Sequence, residues 1–227
     1  MLDHIEFPRE FDRNEPSVSA LGTENTGQEL IELATRRAGR QDLADADILD
    51  VGCGVRFTQT IVNRKIPIGS YTGIEVCRPI VAYLKEAVES RDRRFRFAHW
   101  DVHNAMYNPE GELRLEELDA LPIGGTFELI WLFSVFTHLD ERDAEAMLRL
   151  LRGHVRSRGK LLFSVFIDPD LEGFEDRVPG SPLLKAYYGR RIMDRLVERA
   201  GWRVHAFYQR DFTKPIVDCY VCEPSGP

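Results

Sequence analysis

Residues 48–58 read Ile48-Leu49-Asp50-Val51-Gly52-Cys53-Gly54-Val55-Arg56-Phe57-Thr58. An apolar, β-branched run leads into two glycines and then into an amphipathic segment, which is the pattern of a strand, a tight turn and a helix. Glycines in such a turn let the backbone approach a ligand closely, and the first turn of the helix offers free N–H groups. The stretch therefore predicts a ligand site at the carboxyl end of a strand.

Strand and helix patterns alternate after this turn, which indicates βαβ units and a parallel sheet. Apolar, β-branched runs predict strands at residues 46–51, 70–76, 95–100, 127–134 and 160–167. Helical spacing predicts helices at 57–65, at 80–90, after an Asp140 cap, and at 190–200. The last two runs, 202–208 and 216–222, are joined by a loop too short for a crossover, so they must be antiparallel. We expect an α/β fold: a doubly wound, mostly parallel seven-stranded sheet with an antiparallel C-terminal strand and helices on both faces.

The composition is typical of one large folded domain. The chain has 227 residues, of which 43% are hydrophobic and 30% charged. Its formal charge of −7 repels the phosphate backbone of nucleic acid, so we expect no nucleic-acid partner. The N-terminal residues lack a basic region before an apolar stretch, and no apolar run approaches the roughly 20 residues that span a bilayer. The sequence predicts a cytoplasmic protein without a membrane partner.

The four cysteines are Cys53, Cys77, Cys219 and Cys222. In a chain of this type they are expected to be free thiols. The spacing of Cys219 and Cys222 also fits a zinc or redox pair, but no second pair of cysteines or histidines accompanies it. Because the segment has a strand pattern, alternation would send the two thiols to opposite faces. We expect no metal site.

Three segments lie outside the alternation: residues 1–25, 103–125 and 168–189. Long irregular segments in a domain are commonly lids or binding loops. We therefore expect residues 1–45 to form an N-terminal cap segment with a lead-in helix. Residues 46–227 should form the main domain, with a substrate-cap insertion at 168–189.

Acidic residues end the first three predicted strands. Asp50 precedes the glycine turn, where a carboxylate opposes a pyrophosphate but attracts a cationic or amino-bearing ligand. Glu75 can accept hydrogen bonds from ribose hydroxyls, and Asp101 can accept one from an exocyclic amine such as that of adenine. A dinucleotide-binding turn would need a third glycine where Phe57 stands, which argues against NAD or FAD. Any one acid could be a helix cap or a solvated loop residue, but three on successive strands indicate one nucleoside site.

The sequence pattern is made by residues 50–54, Glu75 and Asp101 together with the stretches 107–111 and 133–139. This pattern resembles class I S-adenosylmethionine-dependent methyltransferases over about residues 48–221. The resemblance implies a Rossmann-like fold, S-adenosylmethionine as the cofactor and methyl transfer as the activity. It implies that the glycine turn lies against the methionine moiety, that Glu75 binds the ribose hydroxyls and that Asp101 binds the adenine amine. We expect the cofactor to contact Asp50, Gly52, Cys53, Gly54, Phe57, Glu75, Val76, Asp101, Val102 and Phe133.

The family usually has a third glycine where this chain has Arg56, so the turn could differ in shape. This departure supports an alternative hypothesis, a non-catalytic cofactor-binding or protein-interaction member of the same fold. A nicotinamide-dependent oxidoreductase is disfavoured by Asp50 and by the absent fingerprint glycine.

Methyl transfer from a sulfonium is an in-line displacement with a good leaving group, so the protein mainly aligns the reactants and excludes water. His138, directly after the fourth strand, is the first candidate for a base, although it could instead cap a helix or pack on the sheet. His103 and Asp168 follow other strands and are reserve candidates.

The acceptor is expected to be a small molecule, methylated on oxygen or nitrogen. Residues 11–25 and the 168–189 insertion should form its pocket, with Asp168, Phe174, Tyr187 and Tyr188 as candidate contacts. Each aromatic residue could equally anchor the insertion. Neither the acceptor nor the oligomeric state is fixed by the sequence.

Overall fold

Apolar and β-branched residues place five parallel strands at the centre of the sheet. The computed structural model describes residues 2–13, 19–178, 180–181, 183–210 and 217–226. The central strands are β1 (Leu43–Val51), β2 (Ile68–Glu75), β3 (Phe95–His99), β4 (Phe127–Leu132) and β5 (Val155–Asp168). They pair in parallel in the order β3-β2-β1-β4-β5, which confirms the predicted parallel sheet.

Two of these strands begin earlier than their hydrophobic patterns predict. β1 begins at Leu43 and β5 at Val155, so Gly159, expected just before a strand, lies inside β5. Both early segments contain a shift in the pairing register. Because a register shift interrupts the two-residue alternation, the first residues of these strands do not look like strands in the sequence.

The irregular stretch 168–189 contains a small β-hairpin, here called the cap hairpin. Its strands are β6 (Phe174–Asp176) and β7 (Ala186–Gly189), which pair with each other antiparallel. β7 also pairs in parallel with the last residues of β5. Strands of three and four residues are too short to show alternation, so the sequence shows only an irregular segment.

The C-terminal strands complete the sheet in the predicted antiparallel way. β8 (Trp202–Tyr208) precedes β9 (Asp218–Pro224), and β9 lies between β5 and β8, antiparallel to both. The expected start of the last strand at residue 216 lies outside the described residues. Cys219 and Cys222 are buried free thiols on β9 and belong to different core clusters. This confirms that strand alternation sends them to opposite faces.

In the part of the chain that the structure describes, five α-helices pack on the two faces of the sheet. They are α1 (Thr23–Arg37), α2 (Arg56–Asn63), α3 (Arg78–Leu84), α4 (Glu141–Arg152) and α5 (Arg190–Arg199). A π-helical turn (Lys85–Glu89) extends α3. The predicted cap of α4 is confirmed, because the side chain of Asp140 accepts a hydrogen bond from the N–H of Asp143 at 2.9 Å.

The core is divided by the sheet into two layers. Apolar residues of α1, α2 and α3 form one cluster with one face of the sheet, and those of α4 and α5 form another with the opposite face. In β4 the side chains alternate between the clusters, since Leu129 and Trp131 belong to one and Ile130 and Leu132 to the other. This confirms the doubly wound arrangement.

An N-terminal strap, residues 2–13, crosses α2 and α3 towards the carboxyl ends of the strands. The amide group of Asn63 exchanges two hydrogen bonds with the backbone of Ile5, at 2.8 and 2.9 Å. The rings of Phe7 and Phe11 pack on Tyr83, with centroid distances of 5.4 and 5.5 Å. These contacts fix the strap beside the glycine turn. Among the described residues, no helix has the length and apolar character needed to cross a membrane.

Candidate functional site

The glycine turn after β1 is an open backbone cradle. Gly52 and Gly54 have φ angles of 74° and 47°, in the left-handed region that favours glycine. A Cβ on Gly52 would lie 2.7 Å from Cγ2 of Val135, whereas a Cβ on Gly54 would meet no atom within 4 Å. Gly52 is therefore required by both backbone conformation and packing. Gly54 leaves room for a ligand against its backbone.

A cavity of about 780 Å³ opens above this turn, at the carboxyl ends of the parallel strands. Open α/β sheets bind ligands at this edge, and the volume is in the usual range for small-molecule sites. Several of the residues expected to bind the cofactor line it together. They are Gly52, Cys53, Gly54, Phe57, Glu75, Val76, Val102 and Phe133.

Glu75 forms a rigid wall of the cavity. Its Oε2 accepts a hydrogen bond from the N–H of Gly54 at 3.0 Å, and its Oε1 accepts one from the N–H of Cys77 at 2.9 Å. The guanidinium of Arg13, at the end of the strap, lies 3.6 Å from Oε1. Only 5% of Glu75 is exposed, so two backbone groups and one cation fix an almost buried carboxylate beside the turn.

Asp50 differs from the expectation that its carboxylate points into the crevice. It is 1% exposed, does not line the cavity, and accepts a hydrogen bond from the hydroxyl of Tyr71. Strand alternation places its side chain on the face of the sheet that also carries Tyr71 of β2. Burial raises the pKa of Asp50 to about 7. In this position Asp50 supports the turn from beneath.

Asp101 also lies outside the cavity lining. Its Oδ1 accepts a hydrogen bond from the side-chain amide of Asn108 at 3.1 Å, and the same amide donates to the carbonyl of Val102 at 3.0 Å. The next two residues, Val102 and His103, line the cavity instead. The end of β3 is thus held in shape by Asn108, and His103, a reserve candidate, is brought to the site.

His138 lines the cavity in the short turn after β4. Its Nδ1 lies 3.0 Å from the carbonyl oxygen of Leu183, and a carbonyl can only accept, so Nδ1 carries the proton. Burial lowers the pKa of His138 from the ordinary value of 6.5. The ring of Tyr107 meets it edge-on at a centroid distance of 5.5 Å. In the described part of the chain, Nε2 makes no hydrogen bond and keeps its lone pair.

Aromatic residues around the turn separate into ligand-facing and core positions. Phe57 and Phe133 line the cavity, and their ring centroids are 5.3 Å apart. Phe136 is completely buried and packs on Phe163 at 4.3 Å, away from the cavity. The structure therefore brings Phe57 and Phe133, the two phenylalanines expected to contact the cofactor, to the site, and leaves Phe136 in the core.

The expected substrate contacts, at the end of β5 and on the cap hairpin, do not line the cavity. Asp168 pairs with Arg177, whose guanidinium also lies 4.1 Å from the ring centroid of Tyr187. Tyr188 is buried, with its hydroxyl donating to the carbonyl of Leu139 at 2.5 Å, and Phe174 packs on its ring. These side chains therefore hold the hairpin in place, and for the aromatic residues this agrees with the alternative that they anchor the insertion. Leu184 and Lys185 from the same hairpin face the cavity instead.

Several lining residues are not among the site residues predicted individually from the sequence. Arg13 and Tyr107 lie in segments that look irregular in the sequence, and Leu30 and Leu33 belong to a helical pattern that also fits an ordinary core helix. Ser134 has a φ of 59°, and its N–H donates to Oγ of Ser164 at 2.7 Å. A left-handed conformation costs a non-glycine residue about 1–3 kcal/mol and is common at functional sites.

Comparisons with known proteins agree with this geometry. A family model described as "Methyltransferase domain" matches residues 23–206. An S-adenosylmethionine-dependent methyltransferase from Clostridium acetobutylicum has 12% identity and a TM-score of 0.61, covering 93% of this chain and 95% of that one. DesVI from Streptomyces venezuelae has 11% identity and a TM-score of 0.61, covering 97% and 100%.

A third solved structure extends the comparison to ligands. The glycopeptide N-methyltransferase MtfA has 13% identity and a TM-score of 0.60, covering 92% of this chain and 98% of its own. MtfA has also been solved with S-adenosylmethionine, with sinefungin and with S-adenosylhomocysteine. At these identities the likeness shows the fold, and the family model covers most of the chain. The chain belongs to the methyltransferase-domain family, and its fold is the Rossmann-like fold of the class I S-adenosylmethionine-dependent methyltransferases that it resembles.

Proposed function

We propose that the protein transfers a methyl group from S-adenosylmethionine to a small-molecule acceptor, at an oxygen or a nitrogen atom. The observation that carries the proposal is the wall made by Gly54 and Glu75, joined by a 3.0 Å hydrogen bond at the edge of one cavity. Magnesium protoporphyrin IX methyltransferase from Synechocystis, a solved structure with the same fold, was determined with S-adenosylmethionine bound.

The residues present fit this cofactor. The open space beside Gly54 accommodates a ligand chain. After accepting their backbone hydrogen bonds, both oxygens of Glu75 keep a lone pair for ribose hydroxyls, and at Oε1 the guanidinium of Arg13, 3.6 Å away, competes for it. Val76 and Val102 offer apolar surface for the adenine, while Cys53, Phe57 and Phe133 enclose the methionine end. When bound, the cofactor supplies a methyl group on a sulfonium, which is already activated for displacement. Asp50 and Asp101 act indirectly by supporting the turn and the end of β3.

An apolar part of the cavity lies beyond the turn and suits the acceptor. It is lined by Leu30 and Leu33 of α1 and by Phe133, Phe166 and Val217, and the first four of these residues pack against the small cluster of Val217 and Cys219. Such a chamber excludes water from the reacting atoms and favours a compact, largely apolar acceptor over a polymer. Lys185 and Leu184 of the cap hairpin close one side.

His138 is the proposed base for an acceptor that must lose a proton. Its Nδ1 is occupied by the carbonyl of Leu183, which leaves the lone pair of Nε2 for the acceptor O–H or N–H. Because burial lowers its pKa, the imidazole is neutral at pH 7 and able to accept that proton. Tyr107 holds the ring in place from its edge.

The alternative, a non-catalytic member of the family, draws its sequence support from Arg56. Val55 has a φ of −122° and Arg56 is the first residue of α2, so neither position needs the left-handed backbone of a glycine. The substitution is therefore compatible with a normal turn, which favours the catalytic proposal. The cytoplasmic location and the division of the chain at residue 45 stay predictions from the sequence.

Ligand binding followed by acceptor screening tests the proposal. S-Adenosylmethionine should raise the melting temperature of the protein and NADH should not, because only a ligand of the folded state stabilises it. A panel of small phenols, carboxylic acids and amines is then incubated with the cofactor, and methylated products are detected by mass spectrometry. Binding without turnover on any acceptor would support the non-catalytic alternative. Absence of binding would overturn the proposal.

A further inference from the structure

Arg56 is a cation on the wall of the cavity, immediately after the glycine turn. It is the first residue of α2, and its side chain lines the cavity within two positions of Gly54. The family resemblance implies a glycine at this position, so the cation is a departure from that pattern. Its place at the methionine end of the proposed cofactor site raises the question of what it binds.

A glycine on the facing helix makes room for the side chain of Arg56. A Cβ on Gly27 of α1 would lie 3.3 Å from Cγ of Arg56 and 2.1 Å from Oγ1 of Thr60. Gly27 therefore allows α1 to pack closely over the start of α2 and to cover the aliphatic stem of Arg56. Packing fixes the aliphatic stem of Arg56, and the residue lines the cavity.

The guanidinium has no close anionic partner among the described residues. It makes no hydrogen bond and no ion pair there, and only the more distant charges of Asp12 and Asp50 favour its protonated form. Burial of Arg56 acts in the opposite direction and lowers its pKa. Asp50 is a weak partner because its own pKa is raised to about 7. A half-buried cation of this kind is stabilised by an anion that enters the cavity.

We infer that Arg56 binds the carboxylate of the methionine moiety of the cofactor, an assignment that rests on the proposed function. The guanidinium presents paired N–H donors that match a carboxylate. The first N–H groups of α2 have no intrahelical partner and point to the same end of the cavity. Arg56 lies two residues after Gly54, at the methionine end of the proposed cofactor site. We therefore assign this carboxylate to the cofactor rather than to the acceptor.

Two ligands that differ only in the carboxylate test the assignment. Calorimetry would measure the dissociation constants of S-adenosylhomocysteine and of its decarboxylated analogue, which keeps the nucleoside, thioether and amine. We expect the wild-type protein to bind S-adenosylhomocysteine about 10- to 100-fold more tightly than the analogue, as a charged hydrogen-bonded pair predicts. Arg56→Met keeps the packed stem and should abolish this preference by weakening the binding of S-adenosylhomocysteine alone. Arg56→Lys should restore part of it.

Arg64→Met is the matched control, since Arg64 follows the other end of α2 and pairs with Glu24 at 3.0 Å, away from the cavity. It should keep the wild-type preference. Equal affinity of wild-type protein for the two ligands, or an equal loss for both in Arg56→Met, would overturn the assignment while leaving the proposed function intact. If neither ligand binds the wild-type protein, the proposed function fails and the assignment fails with it.

Discussion

Arg13 and Glu75 form an ion pair across the mouth of the cavity, with Nη1 of Arg13 3.6 Å from Oε1 of Glu75. The same guanidinium lies 5.1 Å from the ring centroid of Tyr107, and Tyr107 packs edge-on against His138. His138 in turn donates to the carbonyl of Leu183. A continuous series of contacts thus joins the strap, the β3–β4 connection, the turn after β4 and the cap hairpin around one opening.

Removal of Arg13 should strengthen cofactor binding. Its guanidinium occupies Oε1 of Glu75, the group proposed to accept a ribose hydroxyl, so the two compete. A half-exposed ion pair contributes about 0.2–1 kcal/mol, so Arg13→Met should bind S-adenosylhomocysteine up to about five-fold more tightly. Calorimetry at low and high salt would show wild-type affinity approaching that of the variant as salt rises. Arg9→Met, with the same charge change on the strap, is the control, and weaker binding by Arg13→Met would contradict the prediction.

The two glycines of the turn should respond differently to alanine. Gly52→Ala creates a contact of 2.7 Å with Val135 in addition to backbone strain, whereas Gly54→Ala adds only the strain of a left-handed alanine and a methyl group in open space. We expect Gly54→Ala to lower the free energy of unfolding by about 1–2 kcal/mol and Gly52→Ala by more. Urea unfolding and calorimetry together would check this. Gly54→Ala should lose cofactor affinity while remaining folded; unchanged affinity would place the ligand elsewhere.

His138→Gln should lower turnover by about 10²–10⁴-fold while leaving the affinity for S-adenosylhomocysteine unchanged. The base acts in its neutral form, so wild-type kcat/KM should rise with pH through the lowered pKa of His138, below 6.5, and then level off. The measurement is a pH profile with an identified acceptor. A profile of the same shape in the variant would show that His138 has only a packing role.

Asp50→Asn should make stability less dependent on pH. Burial raises the pKa of Asp50 from 3.8 to about 7. Between these values the folded state holds more protons than the unfolded state, so the free energy of unfolding falls as pH rises and is constant above about 7.

Asparagine still accepts the hydrogen bond from Tyr71 and carries no charge, so the variant should be more stable by about 1–3 kcal/mol at pH 8. Urea titrations at pH 5 and 8 would check this. Greater stability of the wild-type protein at pH 8 would contradict it.

The sheet follows from local sequence patterns. A run such as Phe127–Leu132 is apolar on both faces because helices cover both, and the short loop before β9 forces an antiparallel return. These features depend on neighbours in the chain. The cap hairpin cannot be predicted in this way, because its strands are very short and it is held in the sheet by the pairing of β7 with β5.

The site depends on side-chain partners that no local sequence pattern identifies. The sequence places Asp50, Glu75 and Asp101 at strand ends, but only Glu75 faces the cavity. Tyr71 and Asn108 engage the other two acids, and nothing local indicates either partner. A substrate contact is expected at Asp168 for a similar reason, because no sequence pattern indicates that Arg177 pairs with it.

The position of β9 between β5 and β8 also makes completion of the sheet depend on the C-terminal residues. β8 is synthesised before β9, yet within the described sheet it pairs with β9 alone. Until Asp218–Pro224 has formed its strand, β5 is an open edge and β8 has no strand to join. The sheet therefore cannot be completed before residues 218–224 are synthesised, and a nascent chain lacking them would present an unpaired edge at Leu161–Val165 of β5, prone to association with other chains.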